Sequence, residues 1–130
     1  MISCDEFIRR MRSQPTWGPN EERTVRESWS GAEDAAVTVF PSIPGIGFFS
    51  VQKRLAAFVA VCRHLDQLVD SGSTSEEEAQ LAMLILRLES KTFMKAATMF
   101  DIRGPRYSAF DRAQLPRSAN VYLQGLLQYS

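Results

Sequence analysis

Groups able to do chemistry are scarce in this chain, and their spacing works against them. The one histidine, His64, stands two residues from Cys62 inside a stretch of helical period, and positions i and i+2 of a helix do not face each other. Nucleophilic catalysis needs a base held against a nucleophile, so a partner such as Ser42 or Cys4 would have to reach His64 through the tertiary fold. The simpler expectation places His64 at the edge of a packed helix. A zinc site takes three or four Cys, His or carboxylate ligands; two cysteines and one histidine fall short, and no metal or cofactor is expected. Glu76, Glu77 and Glu78 form the densest acidic run, and a helix N-terminus explains them fully. No EF-hand spacing occurs, and nothing singles out a pair of carboxylates for acid–base work on a glycoside.

Anion binding is the next chemistry to test. Residues 40–54, FPSIPGIGFFSVQKR, pass from prolines and glycines into a helical run, the order of a nucleotide-binding turn. The Walker spacing is absent. Gly45 and Gly47 start a G-x-G-x-x-G pattern, but Ser50 stands at its third glycine, and no second strand follows from which to build a parallel sheet. What remains is a helix start with two cations: Ser50, Lys53 and Arg54 are expected to receive a phosphate or a partner's carboxylate at the exposed N–H groups. Further on, Arg103, Arg106, Arg112 and Arg117 face only Asp101 and Asp111, with Tyr107 and Phe110 interleaved. That is the composition of a local nucleic-acid contact with stacking groups, although four cations make a small electrostatic footprint. Leu123-Gln-Gly-Leu-Leu127 has the L-x-x-L-L spacing of groove-docking peptides, which is also the spacing of any core-facing helix.

The elements that must carry these residues read as mostly helical. Ser3 with Glu6 is a capping box and Ile2 with Phe7 a hydrophobic staple, predicting a helix from Cys4 to about Ser13 supported by Asp5–Arg9 and Glu6–Arg10 pairs, with Arg12 left over. Pro15, Gly18 and Pro19 interrupt it, and Trp17 is expected to fold back over the core edge. Residues 21–40 are ambiguous: EERTVRESW suits a charged helix, whereas Val25, Glu27 and Trp29 alternate, SGAED resembles a turn and AAVTVF is strand-like. The pattern therefore allows a β-hairpin near residues 23–40.

From Ser50 the period is helical, with Leu55, Phe58, Val59, Cys62, Leu65, Leu68 and Val69 on one face, ending at Ser71-Gly72. Ser75 and Glu78 then open another helix as a second capping box. Its segment LAMLILRL, 81–88, has one polar residue in eight, so it must be the centre of a bundle or be covered by another subunit. Beyond it, Phe93 to Phe100 continues an apolar stripe, and two short helices follow from Ser108 and Ser118.

Composition bounds the rest. At 130 residues with 45% hydrophobic and 23% charged side chains, one globular domain over 1–130 is expected. Fifteen basic and fifteen acidic groups cancel, so no global field draws the chain to nucleic acid or membrane, though twelve of the bases are arginines, which favour planar contacts. Two cysteines make no disulfide framework, the first residues lack an apolar core of signal-peptide type, and no apolar run could span a bilayer. The expectation is a mainly α, compact single-domain helical bundle, with the hairpin as an α+β alternative. Its expected work is non-catalytic protein–protein interaction or assembly, as a homo-oligomer or with a protein partner, in the cytoplasm. Viral accessory or structural roles would suit such a chain. RNA association through the arginine-rich segment is the alternative.

Overall fold

The computed structural model describes residues 1–39 and 51–89, with the backbone alone for 51–58. Within them lie four helices and no strand: α1 (Cys4–Met11), α2 (Pro19–Val39), α3 (Val51–Asp70) and α4 (Glu76–Glu89). The main packing is α2 on α4; α1 and α3 both attach to α2, and α3 also touches α4. The described part of the chain is mainly α, as its periodicity predicts.

Each helix is set by local chemistry. Ser3 caps α1, its Oγ accepting the Glu6 N–H at 3.2 Å. The Glu6 carboxylate turns the other way, to Arg9 at 2.8 Å and Arg10 at 2.9 Å. The Asp5–Arg9 pair anticipated from spacing is replaced: Asp5 accepts from Arg26 of α2 at 3.2 Å. Nor is Arg12 left over, since it reaches Glu22 at 2.8 Å, and Glu22 also holds Arg26 at 3.5 Å. Spacing along one helix cannot anticipate these pairs because a second helix supplies the partners. At the end of α3, Gly72 takes φ +77°, a left-handed conformation that costs glycine nothing. The Ser73 and Gly72 N–H groups then bond back to Leu68 and Val69 carbonyls, both at 3.0 Å, completing a Schellman turn. The capping box of α4 forms in both directions, Glu78 N–H to Ser75 Oγ at 3.1 Å and Ser75 N–H to Glu78 Oε1 at 2.8 Å.

The hairpin alternative for residues 23–40 is overturned, since Pro19–Val39 is one continuous helix of 21 residues. Val25 and Trp29 fit a strand face and a helix face equally, because a spacing of four satisfies both periods. What decides is the continuation: Val25, Trp29, Ala32, Ala36 and Val39 are buried at steps of four and three, a helical stripe, while Val37 and Thr38 point outward. The start signal lies in the same loop that ends α1. Pro19 occupies the first helical position, where its missing N–H costs nothing, and Glu21 reaches back to the Gly18 N–H at 3.0 Å.

Gly31, read as part of a turn, sits in mid-helix for a packing reason. A Cβ there would overlap the Glu78 carboxylate, so glycine is what lets Glu78 keep this position against α2. Small residues continue the contact, with Ala32 and Ala36 of α2 and Ala79 and Ala82 of α4 fully buried. All six residues Leu81–Leu86 are buried within one chain, so α4 is covered from within, chiefly by α2, which packs on each of the other three described helices. At the opposite flank Phe7 joins two indoles, Trp29 at 5.3 Å between ring centres and Trp17 edge-on at 6.4 Å. Trp17 thus covers the core edge as expected.

Candidate functional site

Ser42 lies outside the described residues; among the described ones, Cys4, Cys62 and His64 show no hydrogen bond that joins them into a reactive group. Cys62 is fully buried on α3 and its thiol is pushed far up by burial, with Asp66 adding to the shift. Cys4 is half-buried, and burial raises its thiol too, against the pull of Arg26. A thiol held protonated is a poor nucleophile and a poor metal ligand. His64 is partly exposed, as an edge residue should be. Among the described residues no three His, Cys, Asp or Glu side chains converge on a metal-sized space, and no helix is long and apolar enough to cross a membrane. Glu76, Glu77 and Glu78 occupy the first turn of α4, as their spacing predicts.

Helix α3 begins at Val51, which puts Lys53 and Arg54 in its first turn. Their side chains and Ser50 lie outside the described residues, as do Arg103, Arg106, Tyr107, Phe110, Arg112, Arg117 and the leucines of 123–127.

What the structure does build is a groove that the sequence did not mark. It runs between α2 and α4, closed at one side by the loop that precedes α2, and has a volume of about 300 Å³. Trp17, Val25, Leu81 and Leu84 supply its apolar surface; Asn20, Glu21, Thr24, Ser28, Glu77 and Gln80 supply its polar margin. On α2 the lining runs from Asn20 to Ser28 and on α4 from Glu77 to Leu84, two turns of each helix, about 11 Å.

The local sequence explains every part. The Met11–Gly18 connection turns through Gln14 N–H to Met11 O at 2.9 Å and Trp17 N–H to Gln14 O at 3.1 Å, which lays the Trp17 indole against Phe7. Val25 is on the buried stripe of α2, and Thr24 and Ser28 flank it one turn apart. Leu81 and Leu84, 6% and 8% exposed, are the members of the apolar segment whose edges reach this surface. An i, i+3/i+4 scan of residues 20–28 would have found Thr24, Val25 and Ser28 on adjoining faces, while Trp17 precedes the helix and is placed by the loop. Their opposition to Leu81 and Leu84 depends on the α2–α4 contact and has no signature in sequence.

The margin is acidic. Glu21 accepts the Gly18 N–H through one oxygen, and Glu77 is exposed at the first turn of α4; no cationic side chain is among the described lining residues. An apolar strip two turns long with polar edges can accept side chains from another polypeptide. Comparison with family models, with characterised proteins and with solved structures finds no match.

Proposed function

We propose that this chain is a non-catalytic protein–protein interaction or assembly protein, working with a protein partner or with a second copy of itself. The observation that carries the reading is the groove between α2 and α4, where an apolar strip meets a polar margin on two packed helices. Interaction through the apolar helix takes a narrower form than its sequence suggests. Leu81–Leu86 is engaged inside the chain, and only the edges of Leu81 and Leu84 are offered for contact. The scaffold suits the role, because sites on packed helices are held more firmly than sites on loops. An intracellular setting goes with this proposal, supported by Cys4 and Cys62 both being free thiols.

Light scattering over a range of protein concentration, at two salt concentrations and with or without a short RNA, tests it. A mass that grows with concentration, is indifferent to RNA and falls back on Ser28→Arg supports contact through the groove. A chain that remains monomeric and gains mass only with RNA, more weakly at high salt, would transfer the function to the arginines at 103, 106, 112 and 117 with Lys53 and Arg54.

A further inference from the structure

The groove also carries information about what it takes. We infer that its occupant is a helix of a partner protein that presents apolar side chains one turn apart, flanked by Lys or Arg. This assignment rests on the contact reading above and adds the partner's chemistry to it.

Length argues for a helix. The lining covers two turns on each wall, so a third helix laid between α2 and α4 offers two successive apolar side chains, at i and i+3 or i+4, to Trp17, Val25, Leu81 and Leu84. Volume agrees: about 300 Å³ is at the lower limit of cavities that enclose a small ligand, and suits a side chain or two. An added helix also needs no hydrogen bonds from the walls, since its backbone groups are satisfied internally.

Charge selects the flanks. Glu21 and Glu77 are the charged residues of the described lining, and both are acidic. Glu77 makes no hydrogen bond or ion pair among the described residues, and Glu21 uses one oxygen on the Gly18 N–H, which leaves the other for a donor. Arg12 and Arg26 are held by Glu22 and Asp5 on the seam with α1, and the one described arginine at the margin, Arg23, donates to Asn20 Oδ1 at 2.9 Å and to neither glutamate. An acidic partner would meet two like charges across a partly dry surface, and a cationic one gains two charge-assisted contacts.

Two short helical peptides without tryptophan test the inference on the full chain. Both carry two leucines one turn apart; one is flanked by Arg, its twin by Glu, and binding is followed by calorimetry and by the protein's tryptophan emission. The Arg peptide should bind about tenfold more tightly than its Glu twin at low salt, and the gap should shrink as salt rises. Glu77→Gln and Glu21→Gln should each weaken the Arg peptide by about threefold and leave the Glu twin unweakened. A Gln side chain at position 21 keeps an acceptor for Gly18, so the start of α2 is preserved, and circular dichroism confirms the fold. Ser28→Arg should abolish binding of the Arg peptide.

Equal affinity for the two peptides overturns the inference, as does binding that survives Ser28→Arg. So does the absence of binding by either peptide. Should self-association vanish on Ser28→Arg while neither peptide binds, the cationic helix is excluded and the contact function of the groove stands.

Discussion

Glu6 shows how much a single side chain depends on neighbours that spacing only half predicts. Its carboxylate accepts from Arg9 and Arg10, and these hydrogen bonds hold its pKa down to about 2 from an ordinary 4.5. A depressed folded-state pKa stabilises the protein above the unfolded value and ceases to do so as pH falls through the folded one. The Glu6 contribution should thus be complete above about pH 4.5 and fade towards pH 2. Carboxyl titration by NMR should place the Glu6 midpoint near 2 in the native chain and return it towards 4.5 when Arg9 and Arg10 are both changed to Gln; an unmoved midpoint would refute the assignment. The Glu6–Arg10 pair was legible at i,i+4, but Asp5 and Arg12 find partners on α2. Residue types were readable here, and pairings were readable only within one helix.

At the scale of elements, α2 is the instructive case. A tryptophan, a serine–glycine pair and a β-branched run read locally as strand, turn and strand, yet Pro19–Val39 is one helix whose stripe fits α4. Tertiary burial outweighs local propensity, which for most residue types differs by well under 1 kcal/mol. Gly31 carries the cost of that arrangement, losing about 1 kcal/mol of helix propensity relative to alanine so that Glu78 can sit against it and cap Ser75. A double-mutant cycle in denaturant should therefore find Gly31→Ala and Glu78→Ala non-additive. Glu78→Ala should destabilise the native chain by about 1 kcal/mol, and nearly nothing in the Gly31→Ala background, where the added methyl has already displaced the carboxylate. Additive effects would mean that the two helices do not meet there. By contrast the start of α4 and the stop of α3 were legible, because capping boxes and left-handed glycines act within a few residues.

For the molecule as a whole, the location of Leu81–Leu86 decides between two kinds of protein. A segment apolar on all sides needs cover, and sequence offers two sources of it, the rest of the chain or another subunit. Here the chain supplies it, with Met83, Ile85 and Leu86 fully buried. Ile85→Ala should accordingly cost about 2–5 kcal/mol of unfolding free energy and leave the native mass by light scattering unchanged. A variant that lost mass at nearly native stability would instead place Ile85 at a subunit contact. Any assembly is then expected to depend on the groove margin, which Ser28→Arg probes without disturbing the core.

By itself the amino-acid sequence determined the helical class, three of the helix boundaries near Ser3, Gly72 and Ser75, the burial of Cys62, and the enclosure of the apolar segment, expected over 81–88 and complete over 81–86. These follow from contacts within one or two turns or from the cost of exposing apolar surface, both of which a linear pattern records. Only the tertiary structure decided that residues 19–39 form one helix, that α4 is covered from within, and that Trp17 and Val25 stand opposite Leu81 and Leu84 with Glu21 and Glu77 beside them. Each of those is a relation between helices dozens of residues apart, set by which small residues let two backbones approach.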